Sequence, residues 1–185
     1  VRDPVTGRNL LSVEFPPGLL WTAYQGLTRA PVHPLFYRDD SLYCSELTEP
    51  VLAYCRERRV AAEPIDDLQS FLQGTFVKCV VLGHPADLQM LRKDLAARLG
   101  TEVRLVNSSP RHLEVLPVGA SKGTALRFLT EHLGVPLSRV VAVGDEENDL
   151  EMLEEAGLGI AVAHAPEEVR AAADRVAPSA EAGGL

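Results

Sequence analysis

The sequence has no cationic surplus: 18 Lys and Arg stand against 26 Asp and Glu, a formal net charge of −8 over 185 residues. The basic residues are scattered, so no broad positive surface forms for duplex DNA or anionic lipid, and neither nucleic acid nor membrane is an expected partner. Long apolar runs are also missing. None approaches the ~20 residues that span a bilayer, and the amino terminus VRDPVTGRNL lacks the apolar core of a secretory signal. Cysteine is scarce: Cys44, Cys55 and Cys79 form no CxxC pair and are odd in number. That fits reduced thiols, each a small apolar core residue, better than a disulfide framework, and predicts a soluble cytoplasmic protein. No internal repeat or low-complexity tract occurs. What the chain does have is 46% hydrophobic content, enough for one domain of ordinary size or two small ones.

Residues 1 to 14 read as a turn, DPVTG, leading into a short strand, NLLSVEF, closed by Pro16 and Pro17. Val1 in place of methionine and the abrupt end EAGGL lead us to expect a longer protein continuing past both ends. From Gly18 to Leu116 strands and helices interleave: a helix over GLLWTAYQGL, strands around HPLFY and SLYCSEL, helical stretches near Pro50 and Asp66, and an apolar strand, FVKCVVLG. The segment PADLQMLRKDLAARLG puts Leu88, Leu91, Leu95 and Leu99 on one face between Pro85 and Gly100, which predicts an amphipathic helix. TEVRLVN and RHLEVLP, separated by SSP, predict an antiparallel hairpin. After Pro117 the pattern becomes SKGTALRFLTEHLG, SRVVAVGD, ENDLEMLEEAG and LGIAVAHA. This alternation predicts an α/β unit, a parallel sheet with helices on its faces. VVAVG reads as a strand buried on both faces.

Ligands of open α/β sheets bind beyond the carboxyl ends of the strands, and Gly144-Asp145-Glu146-Glu147-Asn148-Asp149 begins at such an end. Asp145 is expected to project from the strand end and Asp149, four residues on, to return to the same point from the first helical turn. Two hard carboxylates there suit Mg²⁺, which takes oxygen ligands and keeps waters that a phosphate can replace. Glu146 and Glu147 read instead as acids favoured by a helix amino terminus. One helix earlier, Ser121 is a good cap for the helix that Lys122 begins. A cation there opposes the helix dipole, a penalty that a bound phosphate reverses. GASKGT is not a P-loop, because Lys122 precedes its glycine. Residues 145–156 are not a calcium-binding EF-hand loop, since Leu150 and Ala156 stand where glycine and glutamate belong. The histidines show no HExxH-like spacing, so zinc is not indicated.

The segment LEVLPVGASKGTALRFLTEHLGVPLSRVVAVGDEENDLEMLEEAGLGIAVAHA resembles the carboxy-terminal motifs of haloacid dehalogenase superfamily phosphatases of the Cof type, subclass IIB, in order, spacing and context. The resemblance implies part of a Rossmann-like parallel sheet with helices on both faces, plus an α+β cap of the C2 type. It divides the chain into a core remnant (1–14), a substrate-selecting cap (15–116) and the carboxy-terminal part of the core (117–185). Carried over residue by residue, it implies that Lys122 binds substrate phosphate and neutralises an aspartyl-phosphate, and that Asp145 binds Mg²⁺. Asn148 would contact the phosphoryl or substrate side, and Asp149 would support the metal and the lysine. Two departures stand out. No DxD followed by Gly-Thr, the family's nucleophile motif, occurs in the 185 residues; Asp39-Asp40 and Asp66-Asp67 lack its spacing and its preceding strand. Relatives commonly carry Gly-Asn-Ala after the last strand, where this chain has Ala163-His164-Ala165.

The expected activity of the intact protein is therefore Mg-dependent hydrolysis of small phosphorylated metabolites, sugar phosphates or similar, through an aspartyl-phosphate. Its nucleophile would lie before Val1, and the chain alone is expected to be inactive. The alternative is a non-catalytic module that binds a phosphorylated ligand or a protein partner.

Overall fold

The computed structural model describes residues 1–28 and 30–178. They form two compact units, one of Val13–Val118 and the other of Val1–Ser12 with the described residues from Gly119 onward. The boundaries drawn from sequence fell after residues 14 and 116; the chain changes unit after residues 12 and 118.

The unit Val13–Val118 is built on a sheet of β1 (His33–Arg38), β2 (Ser41–Cys44), β3 (Ala62–Pro64), β4 (Lys78–Leu82), β5 (Val103–Ser109) and β6 (His112–Pro117), ordered β3-β2-β1-β4-β6-β5. All pairings are antiparallel except β2 with β3. The β1–β2 hairpin turns at Asp39-Asp40, where Asp39 takes φ of +51°, a conformation that aspartate tolerates better than most residues. Alternation along β1 and β4 feeds two cores. Phe36, Cys79 and Val81 face α1 (Leu19–Leu27) and α4 (Pro85–Leu99). Leu35, Val80 and Leu82 face α2 (Glu49–Arg58). Leu88, Leu91, Leu95 and Leu99 are all buried, as their spacing predicts. A short α3 (Leu68–Phe71) is capped by Asp67, which accepts from the Ser70 amide at 3.1 Å. The three cysteines are buried and unbridged, and burial raises the Cys79 thiol well above its ordinary range.

The second unit contains the parallel sheet. β7 (Val141–Gly144), β8 (Leu158–Ala161) and β9 (Arg175–Val176) lie in that order, accompanied by α5 (Lys122–Leu133), α6 (Leu150–Glu155) and α7 (Glu167–Ala172). Its core joins Ala142, Leu153, Ala161, Ala165 and Val169. Two details differ from the sequence reading. β7 is not buried on both faces: Ala142 and Gly144 are covered, but Val141 and Val143 are 58% and 39% exposed, because α6 and α7 pack against one side of the strands. NLLSVEF forms no strand; its first residue, Asn9, makes only an isolated antiparallel bridge with Arg2. Asp3 instead folds DPVTG into a turn by accepting from the amides of Val5 and Thr6 at 2.8 and 3.1 Å. Pro16 and Pro17, which donate no backbone N–H, then end any ladder.

Candidate functional site

The site starts from how closely α5 approaches α6. Gly123 has no side chain, and a Cβ there would lie 2.7 Å from the Glu151 Cβ, so only glycine lets the first turn of α5 rest on α6. Arg127 pairs with Glu155 across the same contact. Ser121 caps α5 as expected, its hydroxyl accepting from the Thr124 amide at 2.9 Å. Lys122 then leaves the first helical position and pairs with Asp149.

Asp149 is the buried centre of this arrangement, its side chain only 3% exposed. Oδ1 takes the Lys122 ammonium. Oδ2 accepts from the backbone N–H groups of Asp145 at 3.1 Å and Glu146 at 3.3 Å. The Asp149 amide in turn donates to the Glu146 carbonyl at 2.9 Å. Gly144 is required for this packing, since a Cβ there would lie 2.8 Å from the Asp149 Cγ. One carboxylate thus holds an ammonium from α5 and the loop leaving β7, so Lys122 and the Asp145 loop meet on Asp149.

The remaining groups are less satisfied. Asp145 is exposed, and no hydrogen bond or ion pair reaches its carboxylate among the described residues. Asn148 Oδ1 is buried without a hydrogen-bond partner among the described residues. The Glu146 carboxyl is pushed above its ordinary range, first by burial and then by the neighbouring Asp145 and Asp149 charges, with His164 opposing them. Lys122 is 48% exposed, and an ammonium has three donors, so pairing with Asp149 leaves capacity for another acceptor. The site therefore concentrates oxygen donors and negative charge around one free carboxylate, chemistry that suits a hard divalent cation. Among the described residues no three His, Cys, Asp or Glu side chains gather into a cage. A cation bound at Asp145 would keep most of its waters, as Mg²⁺ does.

Other groups considered from sequence lie elsewhere. Asp39-Asp40 form the hairpin turn and Asp67 caps α3. His132 stacks on Phe128 with ring centroids 5.9 Å apart. Sequence spacing gave no sign that His33, His84 and His112 line one cleft of about 510 Å³. His33 and His112 both pair with Leu82 across adjacent strands, a relation that only the sheet register creates.

A family model described as haloacid dehalogenase-like hydrolase matches residues 3–185. A protein of Escherichia coli O6:H1 named HMP-PP phosphatase is 35% identical over 144 residues, covering 78% of this chain and 52% of that protein. A Haemophilus influenzae protein named putative phosphatase is 31% identical over 160 residues, covering 83% and 59%. The chain thus spans little more than half the length of these curated relatives. Among solved structures, TM0651 of Thermotoga maritima superposes with a TM-score of 0.76 at 32% identity, over 98% of this chain and 68% of that one. The subclass IIB sugar phosphatase BT4131 has the same fold at 20% identity, with a TM-score of 0.80 over 94% of this chain and 65% of that one.

Proposed function

The chain belongs to the haloacid dehalogenase-like hydrolase family, and from that premise we propose that it forms the metal- and phosphate-handling part of a Mg-dependent phosphatase of small phosphorylated metabolites. The observation that carries the reading is the convergence of Lys122 and the Asp145 loop on buried Asp149, at the carboxyl end of β7. The HMP-PP phosphatase and sugar phosphatase names of the relatives support a compact phosphate ester as substrate. We assign the protein to the cytoplasm on its free buried cysteines.

Asp145, with Asp149 behind it, would hold Mg²⁺, which when bound supplies charge stabilisation to the phosphoryl oxygens. The chain's own residues set the field around that position. Lys122, fixed by Asp149 and the Ser121 cap, offers its free N–H donors to a phosphoryl oxygen, as a preorganised ammonium should. Asn148 stands on the substrate side, its amide able to donate to the same group. Asp149 orients both partners: it fixes the lysine and, through the two amides, the turn that presents Asp145. The nucleophilic aspartate of the aspartyl-phosphate route comes from residues outside these 185, which contain no DxDGT motif. Without it, the chain alone is expected not to turn over substrate, and the absence of that motif from these residues is also the observation that favours the alternative, a non-catalytic module binding a phosphorylated ligand.

The test is to express the complete reading frame and assay it with magnesium and a generic phosphate monoester. Wild type should hydrolyse the ester, and Asp145→Ala or Lys122→Ala should each lose roughly 10²–10³ in kcat. Full activity in the Asp145→Ala enzyme would refute the assignment. Phosphate-ester binding without hydrolysis by the complete protein would favour the module.

A further inference from the structure

We infer that His164 is an anion-binding residue of this same site, its imidazole donating an N–H to a phosphoryl oxygen of the substrate; the inference rests on the phosphatase reading. β8 ends beside β7, with Ala161 paired to Gly144, the residue immediately before Asp145. The Val162 amide donates to the Gly144 carbonyl at 3.1 Å. The chain then folds into a tight turn closed by the Ala165 amide on the Val162 carbonyl, also at 3.1 Å, with His164 as its third residue. The turn is therefore anchored to the strand end from which the Asp145 loop departs.

Both neighbours of His164 are pinned. Arg170 on α7 donates to the Ala163 carbonyl at 3.5 Å, and the Ala165 side chain is buried in the core of the unit. His164 itself is exposed, and its ring has no hydrogen-bond partner among the described residues. Packing gives no reason for an imidazole at this corner. Its chemistry does: a neutral imidazole carries one N–H donor in either tautomer, and the cation carries two. Around Asp145, Glu146 and Glu147 an anion needs donors from the chain, and Lys122 already commits one of its own to Asp149. A rigid turn carrying a donor at the same sheet edge supplies one from a second element.

A solvated surface histidine is the competing reading, and substitution separates the two. The complete protein would be prepared as wild type, His164→Ala, His164→Asn, and His164→Phe, which keeps a ring but no donor. For each, kcat and KM on a generic phosphate monoester, the Kd for orthophosphate by calorimetry with and without magnesium, and Tm would be measured. Losing a hydrogen bond to a charged acceptor should raise KM and the orthophosphate Kd by about tenfold in the Ala and Phe variants. Asn, which keeps a donor, should stay within about threefold of wild type on the same scale. Tm should not move in any of them. An active wild type whose Ala and Phe variants keep both constants overturns the role of His164 and leaves the phosphatase reading intact. A wild type that neither hydrolyses the ester nor binds orthophosphate overturns both.

Discussion

Asp145 and Asp149 lie four residues apart in one acidic loop, yet their surroundings predict opposite responses to substitution. Asp149→Ala removes the acceptor for two backbone amides and for Lys122. Hydrogen bonds to a charged group contribute about 1.5–3 kcal/mol each. The Lys122 pairing, with the ammonium half exposed, is discounted to the surface value of about 0–1 kcal/mol. Taking the amide bonds at their lower bound, the loss is about 3–4 kcal/mol, or about 10 °C in Tm for a protein of this size. Asp145→Ala removes an exposed carboxylate that no described group holds, and should shift stability by no more than about 0.5 kcal/mol. Both variants should lose phosphatase activity in the complete protein. Thermal and urea unfolding followed by circular dichroism, with EDTA present so that bound metal adds nothing to the folded state, would measure the difference. The reasoning fails if Asp149→Ala melts with wild type, or if Asp145→Ala is as destabilised as its neighbour.

The raised Glu146 carboxyl gives a pH-dependent prediction. Its unfolded form releases the proton first as pH rises, so this group subtracts stability between its unfolded and folded values, and the penalty persists above the folded one. Glu146→Gln should therefore be more stable than wild type at pH 7 without metal and should lack that part of the pH dependence; melting curves at pH 4 and pH 7 that run parallel for the two proteins would exclude it. Gly144→Ala should displace Asp149, whose Cγ would lie 2.8 Å from the new Cβ, at a cost of about 1–3 kcal/mol. In the complete protein it should also lower kcat, so a Gly144→Ala enzyme with wild-type Tm and rate counts against the close packing described.

Much of this architecture was legible because its causes are local. Apolar residues at helical spacing marked the buried face of α4, and Ser121 announced the start of α5 by supplying the acceptor its first amides need. The order Lys122, Asp145, Asn148, Asp149 along alternating helices and strands pointed to the family. Reading failed where the answer depended on a partner. NLLSVEF has the composition of a strand but no neighbouring strand among the described residues to pair with, and Asp3 bends the chain before it instead. VVAVG resembled a strand covered on both sides, while the described helices cover one.

Sequence alone thus determined which residue types stand at the carboxyl end of β7, since β-branched runs, helix caps and glycines act over a few neighbouring positions. Only the tertiary structure decided how the two aspartates divide their work, burying one under an ammonium and two amides and leaving the other free. It alone also brought His164 to the same edge. Those outcomes depend on parallel strand pairing and on the close approach of α5 to α6 at Gly123, contacts between residues far apart in the chain that no local pattern encodes.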